Sequence, residues 1–146
     1  MGEGIMRQRL EQNGLGHVHA SSMGIHALEG RSATDLAVEI CRENSIDISS
    51  HRSRPLIPEE LKKSHFIFTM EPVQVDYLDL FFPQVSDRIF MLGSWPARKS
   101  KKATIDDPVG RPAKIYRKTF ETISDRIDSL LPEIVQRFHR GFESGQ

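Results

Sequence analysis

Apolar residues recur every three or four positions in three stretches of this chain and form short unbroken runs in two others. From Ala33 onward, Leu36, Ala37, Ile40 and Cys41 share one face while Asp35, Glu39 and Arg42 take the other, which predicts an amphipathic helix. Near the end, Phe120, Ile123, Ile127, Leu130, Ile134 and Phe138 step at the same interval and predict a long helix, with Pro132 as its kink point. "GEGIMRQRL" at the start puts Ile5, Met6 and Leu10 on the buried side of another helix. Pro58 opens "PEELKKS" and Pro72 opens "PVQVDYLDLFF", both suited to helices with proline in the first turn. The compact runs follow them: "HFIFTM" and then "RIFML", Arg88 to Leu92, read as buried strands. A further strand is expected near Val18.

Strands and helices that alternate at this spacing predict an α/β domain, a parallel sheet layered between helices on both faces. Ligands in such sheets bind outside the carboxyl ends of the strands, so the loops there carry the chemistry. They are "SSMGIHALEG", "MEPV" and the stretch from Gly93 to Pro112. A doubly wound sheet normally begins with a strand, yet this chain opens on a helix.

With 146 residues, 38% of them hydrophobic, the chain suffices for one core, so a single domain spanning 1–146 is expected. Twenty basic and twenty acidic side chains cancel, so no global field favours nucleic acid or an anionic membrane. One cysteine, Cys41, excludes an internal disulfide. Without a signal-peptide pattern or a long apolar run, a soluble cytoplasmic protein is expected.

The most suggestive polar stretch is "IDDPVGRP", Ile105 to Pro112, where Asp106 and Asp107 stand before Pro108 in a loop stiffened by proline and glycine. Read alone, Asp107 is a turn aspartate and Asp106 a solvated charge. Cys41 falls on the core face of its helix and reads as packing. His17 and His19 alternate along the expected strand, but their spacing fits no closed zinc pattern, so no metal is expected. "ARKSKK", Ala97 to Lys102, reads as a mobile basic loop.

Taken in order, "MGEGIMRQRL", "SSMGI", "AVEICRENSIDISSHRSRPL", "HFIFTMEP" and "DDPVGRP" resemble the low-molecular-weight protein tyrosine phosphatases, a family related to bacterial arginine phosphatases and to one class of arsenate reductases. The resemblance implies a three-layer α/β fold and a two-step phosphoryl transfer. A cysteine in a C-x5-R-S loop attacks phosphorus, and an aspartate before proline, matched by Asp107, protonates the leaving oxygen and then activates water. It implies no cofactor and no metal, a phosphorylated protein or small phosphoester as partner, and supporting roles around the phosphate loop for His51 and Ser22. Leu28 and Val109 are aliphatic where some members carry aromatic residues, which leaves phosphotyrosine, phosphoarginine and small esters open.

The family's C-x5-R-S-P-M-x-E-G pattern matches this chain only from Met1, Glu3 and Gly4 onward. Nucleophile, loop amides and phosphate-binding arginine are therefore expected to be absent from these residues, together with the interior first strand. That strand's loss is expected to hold its neighbours about 9.6 Å apart and to orphan their backbone groups. The chain by itself is expected to be an inactive, N-terminally truncated relative; a non-catalytic binding module and an arsenate reductase-type relative are the alternatives.

Overall fold

In a computed structural model, residues 1–143 are described, with side chains through residue 139. The helices form where the periodicity places them: α1 (Gly2–Gln12), α2 (Asp35–Glu43), α3 (Pro58–Lys63), α4 (Pro72–Phe81) and α5 (Ala113–Glu143), the last running unbroken through Pro132. Local chemistry fixes their starts. Thr34 caps α2 by accepting the Ala37 N–H at 3.4 Å, and α4 begins with Pro72 while Gln74 Oε1 accepts the N–H groups of Met70 and Glu71 at 2.8 and 3.2 Å.

Two strands pair in parallel, β1 (Ile67–Thr69) with β2 (Ile89–Met91), in the register Ile67 to Ile89, Phe68 to Phe90 and Thr69 to Met91. Because successive strand residues face opposite sides, this ribbon divides the core in two. Ile67, Ile89 and Met91 join Leu61, Val75, Leu78 and Val85 beneath α3 and α4. On the other side Phe66, Phe68 and Met70 meet the larger core formed by α1, α2 and α5, where Ile5, Ile40, Cys41, Phe120, Ile127 and Leu130 are buried. Trp95 packs against the rings of Phe66, Phe68 and Phe90 at 5.9, 5.7 and 4.8 Å. The far half of α5 is fastened to the same strand, with the Arg137 guanidinium 5.0 Å over the Phe66 ring and Phe138 edge-on to His65 at 5.2 Å. The expected three layers are present.

The strand expected near Val18 is not. That segment is irregular, and between Val18 and Arg31 the chain makes one isolated parallel bridge, Gly24 to Pro55. The physical reason lies in its neighbour: a strand needs a ladder partner, and among the described residues β1 has one only on its β2 side. Two arginines take over part of that role. Arg7 Nε donates to Ala20 O at 2.9 Å and Arg54 Nε to Ser22 O at 3.1 Å, so carbonyls without a ladder receive guanidinium donors. Thr69 Oγ1, on β1, is buried without a hydrogen-bond partner among the described residues.

"ARKSKK" is also not loose. Arg98 pairs with Asp79 and Lys99 with Asp76, both carboxylates on α4, and Arg98 Nε donates to Ser86 O at 3.0 Å. This loop presses back on the strand end so closely that a Cβ on Gly93 would stand 1.9 Å from Ala103 O.

Gly93→Ala is therefore expected to cost about 2–3 kcal/mol in urea unfolding, because Ala103 O is a backbone atom and cannot swing away; an unchanged midpoint would contradict this packing. The hydrogen bond from Arg98, aided by Ser86 and opposed by partial desolvation, holds the Asp79 carboxyl below its ordinary range. A depressed folded value stabilises the fold above the unfolded pKa and loses that stabilisation as pH falls through the folded one. Asp79→Asn should accordingly lower the melting temperature near neutral pH and converge with the parent protein on acidification. A deficit that does not change with pH would count against this ion pair.

Candidate active site

The first turn of α1 carries Glu3, whose side chain is only 13% exposed. A carboxylate so withdrawn from water requires compensation, and three side chains approach it. Ser22 Oγ donates to Glu3 Oε2 at 2.6 Å, Arg7 pairs with Oε1 at 2.8 Å one helical turn on, and His51 Nδ1 lies 3.7 Å from Oε2, within ion-pair range when the imidazole is protonated. Ser22 and His51, which the sequence reading singled out, are thus brought together, and the group that joins them is Glu3. Its role was missed, since a Glu–Arg pair four residues apart on a helix reads as ordinary surface pairing.

The chain around His51 is stiffened by its own polar groups. Asp47 Oδ1 accepts the Ser49 N–H at 2.8 Å, His51 N donates to Ile48 O at 3.1 Å, and Arg52 reaches back to the carbonyls of Ser49 and His51 at 3.0 and 2.7 Å. Arg54 then closes the frame: it holds Ser22 O and grips Glu60 through both terminal nitrogens at 2.6 and 2.8 Å. That contact raises the Arg54 pKa and lowers the Glu60 pKa, burial opposing each. Gly4 allows α1 to approach, because a Cβ there would meet Ile46 and Ile48 at 2.8 Å.

The Asp107 loop is anchored to the same end of the sheet. Ile105, buried, donates its N–H to Met70 O at 3.0 Å, and Met70 is also the neighbour of Gly2 at the start of α1, 3.6 Å from where a Cβ there would lie. Pro108 is buried, whereas Asp106 and Asp107 are exposed. Asp107 Oδ1 accepts the Val109 N–H at 3.0 Å, Arg111 N donates to Pro108 O at 2.9 Å, and Gly110 takes a φ of +78°, which relieves a side chain of that strained region. One carboxylate oxygen thus shapes the turn and the other has no partner among the described residues. Asp107 shares no hydrogen bond or ion pair with Glu3, Ser22 or His51. Leu28 and Val109 are exposed at 66% and 61%, two apolar side chains open to solvent.

Cys41 is fully buried in α2, and burial pushes its thiol pKa up. It belongs to the core. His17 lies in a turn and not on a strand, so the alternation that paired it with His19 does not arise; among the described residues no three His, Cys, Asp or Glu side chains are grouped to hold a metal ion. No helix of the described residues is long and apolar enough to cross a membrane.

Replacing Glu3 with Gln removes the charge that Ser22 and Arg7 address directly and should destabilise the fold by about 1.5–3 kcal/mol, read as a shift in the denaturant midpoint at constant slope. An unaltered midpoint would show that the cluster holds nothing together. Cys41 should resist iodoacetamide in the native protein and react once urea unfolds it; rapid labelling of the native state would contradict its sealed position.

Residues 1–140 match the family described as low molecular weight phosphotyrosine protein phosphatase. The chain is 29% identical over 129 residues to a probable low molecular weight protein-tyrosine-phosphatase, EpsP, of Ralstonia nicotianae, covering 88% of this chain and 86% of that protein. It is 28% identical over 125 residues to a protein-arginine-phosphatase of Geobacillus stearothermophilus, covering 86% and 82%. The crystal structure of a low molecular weight protein tyrosine phosphatase from T. tengcongensis superposes with a TM-score of 0.82 at 32% identity, over 90% of this chain and 88% of that one. A parallel β-ribbon between two helical layers, an Asp-Pro loop tied to the end of β1 and a match along nearly all of its length agree: the chain belongs to the low molecular weight phosphotyrosine protein phosphatase family.

Proposed function

We propose that these residues form the acid-loop part of a phosphomonoester hydrolase that works through a cysteinyl-phosphate, and that the first strand and the C-x5-R-S loop come from residues preceding Met1 in the native protein. The observation that carries this reading is the sealed thiol. The sole cysteine of the 146 residues, Cys41, is buried in a helix, apart from Ser22 and His51 at Glu3 and from the Asp107 loop, the residues that the resemblance matches to the family's site. A nucleophile has to arrive there from another segment.

In the first half-reaction the thiolate displaces the leaving group from phosphorus, and Asp107 gives its proton to the departing oxygen. In the second the same carboxylate, now ionised, takes a proton from the water that attacks phosphorus; the new P–O bond forms as the P–S bond breaks, which releases inorganic phosphate and the thiolate. The turn through Pro108 and Gly110 suits that role, because it fixes the backbone while one carboxylate oxygen stays free. Glu3, Ser22 and His51 would brace the incoming loop. The partner is a phosphorylated protein or a small phosphoester; the named relatives include both a tyrosine and an arginine phosphatase, and the aliphatic Leu28 and Val109 fit either.

A second reading, a non-catalytic binding module, is favoured by the arginine contacts to Ala20 and Ser22, which hold the chain together where a strand would otherwise be needed.

Hydrolysis of p-nitrophenyl phosphate separates the two. The 146 residues should give background rates, unaffected by Cys41→Ser, whereas the chain extended by its upstream coding sequence should turn over. In that extended protein Asp107→Asn should lower kcat by about 10²–10⁴, most strongly for phenyl phosphate, whose poorer leaving group depends more on the proton. Turnover by the 146 residues that Cys41→Ser abolishes would overturn the proposal.

A further inference from the structure

Helix α4 turns Val75 and Leu78 into the core beneath it, and on its opposite side Val73, Tyr77, Leu80 and Phe81 recur at helical spacing. Val73, Leu80 and Phe81 are 64%, 73% and 57% exposed, and the Tyr77 ring, 4.6 Å from that of Phe81, joins them into one stripe. A surface helix ordinarily gives this side to polar and charged residues. Of the six large apolar side chains exposed among the described residues, three stand here; single ones need no explanation, but a continuous patch marks a surface that something covers.

The charges beside the stripe decide what that is. Asp76 and Asp79 are the only charged residues of α4, and Lys99 and Arg98 pair with them. The helix thus offers no free charge to a phosphate, a lipid headgroup or a charged peptide, and fits an apolar surface that is itself neutral. A second copy of this chain presents one, and its formal charge of zero sets up no net repulsion between copies. A twofold axis crossing α4 near Tyr77 would pair the two helices antiparallel, so that Val73 of each copy meets Leu80 and Phe81 of the other. The stripe exposes roughly 450 Å² of apolar surface, so two copies with their polar rims would bury about 1,000 Å², the lower end for a specific interface.

We propose that α4 is the interface of a weak, twofold-symmetric homodimer, paired through Val73, Tyr77, Leu80 and Phe81. Pairing would also steady the loop that carries Ser22, because His26 of that loop stands edge-on to Tyr77 at 6.3 Å. The interface is independent of the phosphatase reading, since it uses none of the residues around Glu3 or Asp107.

Sedimentation equilibrium of the 146-residue protein, from about 5 μM to about 1 mM, tests it. The mass is expected to rise from one chain to two with a Kd of about 10–100 μM and to stop there, because a twofold interface closes on itself. Leu80→Glu, at an exposed position and with the urea midpoint unchanged, should weaken association about tenfold or more, whereas Ile115→Glu, at an exposed apolar position on α5, should leave it unaltered. An equimolar mixture of the Leu80→Glu and Val73→Lys proteins should associate more tightly than either alone, since antiparallel pairing sets the two new charges opposite each other. A mass that stays at one chain up to the highest concentration, growth beyond two chains, an equal loss with Ile115→Glu, or a mixture no tighter than its components would overturn the proposal.

Discussion

A carboxylate held mostly out of water organises this end of the molecule. Glu3 sits in the first turn of α1, and its desolvation is offset only because Ser22, Arg7 and His51 converge on it from three separate stretches of chain. Those stretches are thereby placed in register with one another. Arg7, fixed by Glu3, reaches Ala20 O; Arg54 reaches Ser22 O and is itself held by Glu60. Without Glu3, the segment from Ala20 to Ser22 would keep fewer contacts to locate it, and the loop with His51 would lose its link to α1.

This arrangement also accounts for the short sheet. Parallel strands depend on backbone partners on both sides when they lie inside a sheet. Here β1 has such a partner on one side, and the segment near Val18 answers its carbonyls with side-chain guanidinium groups instead of a ladder. The two cores survive because helices cover both faces of the ribbon, with the aromatic group around Trp95 and the long reach of α5 filling the larger one.

What the sequence disclosed follows from the range of the interactions involved. Helices α2 and α5 and strands β1 and β2 are dictated by local periodicity and by proline positions, so they are legible, as is the family through its ordered motifs. The strand near Val18 fails because pairing is a property of two segments, and an apolar stretch does not carry its partner. The resemblance implies supporting roles around the phosphate loop for Ser22 and His51, but Glu3, to which both are joined, is hidden by its helical spacing to Arg7. "ARKSKK" reads as mobile because the carboxylates that tie it, Asp76 and Asp79, lie about twenty residues earlier on α4, a separation that no local pattern reveals. Asp107 was legible as both a turn former and a matched acid, and the geometry has it forming the turn while an oxygen remains free.

The source of the nucleophile decides whether this chain belongs to a working phosphatase. Mass spectrometry of the N-terminal peptides of the native protein, isolated from its own cells, addresses that directly. Peptides that extend upstream of Met1 through a C-x5-R-S loop are expected; a native terminus at Met1 or Gly2 as the sole form would contradict a nucleophile supplied from upstream.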